Sequence, residues 1–362
     1  MNARAHTLGN APHLSRSSRS AMPVVALGAV LALGLVGCAG GAAADESGSN
    51  TVTLIVHDSF PNEEFAAAAS EATGYTVEVV SAGDGGELSS QLVLTQGTPV
   101  ADAFFGVDNV FASRIADGVS EPYLPQDLPA RAEEFLYDAE GSLVPVTLGA
   151  TCINIDPAWF AEHGIAEPQS YEDLADETYR GLSVLLDPTS SSTGASFLIG
   201  TVSAFGEDGF ADYWAQLAAN DVRIAQGWDE AYYTHFTQGG GGTYPIVLSY
   251  SSSPAYTVTE DGTGTTTKAL LDTCSSQVEY AGVLQGAANP EGAKAVVEYL
   301  LSREFQDTIA DTMYVYPIDA EAYLPAEWAE FAPVPSAPHD LTPAEIGAGR
   351  EGWLKTWSDA VS

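Results

Sequence analysis

The chain has 362 residues, with 12 Lys+Arg against 49 Asp+Glu and a formal net charge of −37. At 45% hydrophobic and only 17% charged it carries enough apolar material for a large core, which argues against intrinsic disorder, and its length predicts two domains. The acid excess argues against nucleic acid, whose phosphates need Lys and Arg, and against electrostatic docking on anionic lipid; it reads first as an acidic surface suited to its medium, with a mean field that favours a cationic ligand as the alternative.

Arg4, Arg16 and Arg19 precede an apolar stretch from Ala21 to Gly37, the form of a secretory signal. The stretch ends Leu35-Val36-Gly37-Cys38, which resembles the bacterial lipobox. That resemblance implies lipid attachment at Cys38 and cleavage before it; an ordinary signal peptide and an uncleaved transmembrane anchor are the alternatives. Residues 1–37 are expected to be the lipoprotein signal peptide and 38–50, small and polar, a flexible tether. Without the leader's three arginines, nine basic residues face the 49 acids. No later run is apolar enough to span a membrane. The folded part is therefore expected outside the cytoplasmic membrane, held to its outer face by lipid. Cys152 and Cys274 then remain. An isolated pair in an exported protein reads as one disulfide, with two buried thiols as the alternative. Without a nearby His pair they make a poor zinc site.

Strands are predicted at 51–57, 75–80 and 101–107, alternating with helices at 62–72, 87–95 and 109–116. This alternation predicts a parallel sheet covered on both faces. Two less regular strands follow, near Leu136–Tyr137 and over 143–148. From Ala150 the alternation restarts. Strands are predicted at 151–155, 182–186, 222–225, 246–250 and 278–284. Helices are predicted from Pro157, after Gly194 to about Ala204, and over 208–218, 228–236, 290–301, 304–312 and 343–361. The fold class is α/β with two lobes and hinge strands between them. Lobe one is 51–148 plus 285–362 and lobe two is 149–284, with crossings near Gly149–Ala150 and Ala281–Leu284. Lobe interfaces are favoured ligand sites.

Open α/β sheets bind ligands at strand C-termini. The loops there hold His57-Asp58-Ser59, Gly83-Asp84-Gly85, Asp108-Asn109, Asp187 to Gly194, Gly227-Trp228 and Tyr250 to Ser253, with no Lys or Arg among them. Such loops suit a flat, cationic, hydrogen-bonding ligand. Ser190 to Gly194 opens a helix, and its hydroxyls and free N–H groups either cap that helix or hold a polar group. Ser251-Ser252-Ser253-Pro254 carries the same ambiguity. Trp228, Tyr232, Tyr250 and Tyr256 are either core residues or cation-facing aromatics. Tyr232-Tyr233 with His235 raises ferric iron as an alternative, though a loop acid and an early His would also be needed. There is no Gly-x-Ser-x-Gly elbow, P-loop or His-Glu-x-x-His, so an enzyme is not expected. His57 and Asp58, adjacent along a strand, point to opposite faces and are a poor acid–base pair.

Gly-Trp-Asp-Glu-Ala-Tyr (227–232), Leu-Ser-Tyr-Ser-Ser-Ser-Pro-Ala-Tyr (248–256), Asp-Pro-Thr-Ser-Ser-Ser-Thr-Gly (187–194), Asp58-Ser59-Phe60 and Phe105 to Asn109 together resemble the thiamine-binding proteins of bacterial ABC importers. The similarity runs in order from about Thr51 to Val361. It implies a periplasmic-binding-protein fold closing on thiamine or its phosphates. It also implies contacts from Gly83, Asp84, Ser191, Ser192, Trp228, Tyr250, Ser251, Ser252 and Ser253, with Asp58, Tyr256 and Tyr314 beside them. Its partners would be a membrane permease and a cytoplasmic ATPase, with the binding protein itself a monomer, no cofactor and no metal. The family often has Asp where this chain has Gly83, Tyr where it has His57, and Trp near Tyr314, which bears on the exact vitamer. Other expectations on the same fold are a ferric-iron or other small-cation binder, and an exported thiamine-degrading enzyme using Cys152 as nucleophile.

Overall fold

The computed structural model describes residues 50–362; the expected signal peptide, Cys38 and all of the expected tether but Asn50 lie outside the described residues. The first part of the chain forms β1 (Thr51–Val56), α1 (Asn62–Thr73), β2 (Thr76–Ser81), α2 (Gly85–Leu94), β3 (Ala103–Asp108), α3 (Ala112–Ala116) and β4 (Ser120–Glu121). β1 pairs parallel with β2 and β3, the arrangement that helical crossovers produce. β3 is buried along its whole length, which its run Ala-Phe-Phe-Gly-Val permits for a strand covered on both faces. α1 ends at Gly74, whose φ of 77° supplies the left-handed turn that terminates a helix.

Next come β5 (Val144–Ile155), α4 (Pro157–His163), α5 (Tyr171–Leu174), β6 (Ser183–Leu186), α6 (Ser192–Phe205), α7 (Phe210–Ala219) and β7 (Arg223–Ala225). A π-helical turn over Glu230–His235, β8 (Ile246–Tyr250), α8 (Ser253–Tyr256) and β9 (Lys268–Leu284) follow. β6 pairs parallel with β7 and β8. The chain finishes with α9 (Pro290–Leu301), α10 (Arg303–Gln306), α11 (Ile309–Thr312), β10 (Tyr316–Pro317), α12 (Trp328–Phe331) and α13 (Pro343–Ala360).

Strand order is β2-β1-β3-β9-β5-β8-β6-β7, with β10 on β5 and β4 on β9. The two long antiparallel strands β5 and β9 thus connect two parallel groups. The second crossing differs from the sequence expectation: Ala281 and Val283 pair with Phe105 and Ala103 inside the first group. Opposite Gly149–Ala150, β9 runs through Gln277 and Ser276. Cys152 and Cys274 are joined by a disulfide between β5 and β9, beside the register shift at Thr151/Ile153.

Other differences have local causes. Leu136–Tyr137 is irregular, and the strands expected on either side of Gly149 are one strand, because Gly149 stays paired with Gln277. The helix expected over 304–312 breaks near Thr308, whose hydroxyl bonds back to the Phe305 carbonyl. α13 touches both groups: Arg350 lies over the Phe111 ring beside α3 at 5.5 Å, and further contacts reach the second group. Trp357 meets Trp214 of α7 edge to face at 5.9 Å, and Trp353 Nε1 donates to Glu207. The period-two pleat splits the apolar residues of β1 and β3 between two cores. Val52, Leu54, Val56 and Phe105 face one, while Ile55 and Phe104 join a larger core that continues through β6, α6 and α7.

Candidate functional site

A cavity of about 240 Å³ opens between the two strand groups, at the C-terminal ends of β1, β8 and the loop after β7. That size suits one compact small molecule. Its aromatic lining is Trp228, Tyr232, Tyr250, Tyr256, Tyr314 and His57, and its acidic lining is Asp58, Asp84, Glu87, Asp229, Glu230 and Glu279. No Lys or Arg lines it.

Asp84 is the N-cap of α2, in a capping box with Glu87. Its Oδ1 accepts from Gly85 N at 2.6 Å and from Ser192 N at 3.1 Å, and its Oδ2 accepts from Trp228 N at 3.0 Å. One carboxylate therefore joins the starts of α2 and α6 and the loop after β7. The approach needs glycine. A Cβ on Gly85 would stand 2.6 Å from Ser192 Cβ, and one on Gly86 would stand 2.6 Å from the Ser190 carbonyl. Glu87 N donates to Ser190 O at 3.1 Å, and Ser59 Oγ donates to Asp229 Oδ1 at 2.8 Å across the same opening.

The aromatic wall is held from behind. Trp228 stacks on Tyr232 at 4.9 Å and 18°, and its Nε1 donates to Ser249 Oγ at 2.9 Å. Tyr250 Oη shares a hydrogen bond with Thr193 Oγ1 at 2.9 Å; burial raises the pKa of this phenol, with Glu279 adding to the shift, so the hydroxyl stays neutral. Tyr256 and Tyr314 meet at 4.4 Å with a 55° tilt. Tyr314 sits at φ 57°, a left-handed conformation costly for a bulky residue, and its carbonyl accepts the Ser252 hydroxyl at 2.5 Å. Gly106, at φ 101°, leaves room for the His57 ring, which a Cβ there would meet at 2.2 Å.

Of the residues singled out in the sequence, Asp58, Asp84, Ser192, Trp228, Tyr232, Tyr250, Ser253, Tyr256 and Tyr314 line the cavity. Gly83, Ser191, Ser251 and Ser252 do not, because their polar groups are turned to local bonds. Gly83 exchanges bonds with Asp58. The Ser191 hydroxyl caps α6 at Gly194 N, Ser251 N donates to Ala150 O, and Ser252 holds Tyr314. His57, placed on a candidate loop but given no ligand contact, also lines the cavity; Glu279 and the acids Glu87, Asp229 and Glu230 were not singled out as site residues. Glu279 lies inside a long strand, where no turn signal marks a site.

The Tyr232, Tyr233 and His235 set does not converge. Tyr232 is buried beneath Trp228, His235 pairs with Glu230 at 3.0 Å, and burial pushes the Tyr233 phenol up to about 12. Among the described residues no group of three or more His, Cys, Asp or Glu is arranged to hold a metal ion. Cys152 is fully buried and disulfide-bonded, so it cannot serve as a nucleophile. No described helix is long and apolar enough to cross a membrane.

Two α/β groups joined by long strands, with an aromatic and acidic cavity between them, define a two-lobed periplasmic-binding-protein fold. The chain belongs to the bacterial extracellular solute-binding protein family, whose model matches residues 98–336. It is 31% identical over 196 residues to the thiamine-binding periplasmic protein of Escherichia coli K12, a match covering 54% of this chain and 58% of that relative's length. It is 27% identical over 327 residues to the thiamine-binding periplasmic protein of Brucella suis, covering 86% of this chain and 92% of that one. Among solved structures, a periplasmic thiamin binding protein superposes with a TM-score of 0.73 at 25% identity, over 86% of this chain and 96% of that one. Iron-bound HitA from Pseudomonas aeruginosa shares the fold, with a TM-score of 0.68 at 23% identity over 86% and 99%.

Proposed function

We propose that this protein is the thiamine-binding component of an ABC importer, holding thiamine or a phosphate ester between its lobes and delivering it to a membrane permease driven by a cytoplasmic ATPase. The observation that carries the reading is the cavity lining, which combines aromatic faces with six carboxylates and no Lys or Arg. Thiamine joins a permanently cationic thiazolium to a flat aminopyrimidine. Aromatic faces attract cations by roughly 0.5–2 kcal/mol each, and carboxylates accept from the amine. The names of the relatives point to the same ligand. The missing basic residues favour free thiamine over its phosphates, which would rely on the helix start at Ser192 alone.

In this reading the ligand contacts come from Trp228, Tyr250, Ser253, Tyr256, Tyr314, Ser192 and Asp58, with Asp84 closing the lobes. Gly83, Ser191, Ser251 and Ser252 hold that set in place. Lobe one is 51–148 with the chain from about 277 onward, lobe two is 149–276, and the hinge lies where Gly149–Ala150 faces Ser276–Gln277. Cys38 carries the lipid that keeps the protein, as a monomer, on the outer face of the cytoplasmic membrane.

Calorimetric titration with thiamine tests this, after unfolding and refolding in non-reducing buffer to strip carried ligand. One site of sub-micromolar affinity, or better than about −8 kcal/mol, without turnover is expected. No heat and no thermal shift with thiamine or either phosphate would remove thiamine and leave the fold.

A further inference from the structure

The carboxylates of the cavity differ in what their oxygens already hold. Asp84 is occupied by three backbone N–H groups. Asp229 accepts from Ser59, and Glu230 accepts from Gln226 N and pairs with His235. Glu279 stands apart from these. It lies on the crossing strand β9 and is 7% exposed. Its Oε2 accepts the Thr147 hydroxyl at 2.7 Å. Its Oε1 has His57 Nε2 at 3.5 Å, an approach without hydrogen-bond geometry that leaves this nitrogen unpartnered.

Across the sheet, Asp108 sits opposite Glu279. Burial pushes its pKa up to about 8, so at neutral pH it carries a proton and does not act as a second anion.

We propose that Glu279 is the residue by which the cavity tells a cationic ring from a neutral one: its half-used carboxylate, set into the cavity wall from the crossing strand β9, receives the positively charged ring of a planar organic cation. This deepens the thiamine reading and rests on it for the identity of the ligand, though not for its charge. Asp84, which holds the lobes, does not set this preference.

The test compares thiamine with thiamine thiazolone, which has the same shape but an uncharged ring, by calorimetry on the full-length chain, stripped of ligand, in detergent. Wild type should prefer thiamine. Glu279→Gln should lose about tenfold to a hundredfold for thiamine, and less than about threefold for the thiazolone. Glu279→Asp, which sets the charge one methylene back, should show a smaller loss confined to thiamine. It decides the matter if the Gln variant does not fold. Unchanged thiamine affinity in Glu279→Gln, or equal losses for both compounds in either variant, overturns the proposal and leaves the thiamine reading intact. If wild type ignores thiamine but binds another planar cation, such as 1-methylnicotinamide, and Glu279→Gln loses it, the thiamine reading fails and the role of Glu279 stands. A wild type that binds no organic cation overturns both.

Discussion

Asp108, opposite the cavity residue Glu279 on the neighbouring strand, shows how one buried side chain links pH to stability. It is fully buried, accepts from Val110 N and Phe111 N through Oδ1, and leaves Oδ2 without a partner. Burial is the largest cause of its rise from 3.8 to about 8, with Glu279 and Asp84 adding to it, while the two backbone donors act in the opposite sense. Below 3.8 the folded and unfolded states both carry the proton. Between 3.8 and about 8 only the folded state keeps it. The stability this group provides is therefore fully present below the unfolded value and lost as pH rises through the folded one. Asp108→Asn keeps an acceptor for the two N–H groups and cannot ionise. Urea denaturation at several values between about pH 5 and 8 should show stability falling with pH in the wild type and a flatter profile in Asp108→Asn. Parallel profiles would mean that Asp108 titrates normally. None of this is legible in the sequence, where Asp108 is one of several acids at strand ends. Nothing local distinguishes the exposed Asp58 from the buried Asp108.

At the scale of elements, much of the site is readable, because helix starts and strand ends announce themselves. Asp84 with Glu87 is a capping box, and Ser191 with Gly194 is a cap. What local signals cannot give is which of several adjacent hydroxyls faces the cavity. Ser191 and Ser192 differ by one residue, about 100° around a helix; one hydroxyl turns to Gly194 N and the other lines the cavity. Nor can they show that α2 and α6 meet end to end across the opening. Gly86 makes that meeting possible, since a Cβ there would fall 2.6 Å from the Ser190 carbonyl. Two effects of Gly86→Ala thus oppose each other in a measurable way. Alanine in a helix is favoured over glycine by up to about 1 kcal/mol, yet its methyl obstructs contact between the lobes. If that contact is the closed, binding form, Gly86→Ala should keep or slightly raise the thermal midpoint of the ligand-free protein. Its affinity should fall by more than about tenfold, since a ligand that needs the closed state must now also drive that closure. Wild-type affinity in Gly86→Ala would separate the α2–α6 contact from binding.

At the scale of the molecule, composition and fold act together. The alternation of strands and helices is visible in the sequence, and so is the division into two groups. The place of α13 is not, because Trp353 and Trp357 read only as the buried face of some helix; that the partner is α7 depends on the whole chain being folded. The charge, by contrast, is legible from the first count, and the cavity gives it a direction. Asp58, Glu87, Asp229 and Glu230 line an opening that contains no Lys or Arg, on a chain of net charge −37. Such a field draws a small cation toward the opening and repels an anion, over a distance set by salt: about 30 Å at 0.01 M and 8 Å at 0.15 M. The association rate for thiamine, measured by stopped-flow tryptophan fluorescence with Trp228 as reporter, should therefore fall several-fold between those ionic strengths. Thiamine diphosphate, a net anion, should show the opposite slope, its approach improving as the acids are screened. The two slopes bear on physiological choice as well as on mechanism. On the proposed function, capture at low ligand concentration is limited by encounter, and at low salt the free cation should be collected faster than its phosphate even if their affinities are equal. Slopes of the same sign for both vitamers would mean that the acidic surface serves solubility alone and that selection rests on contacts within the cavity.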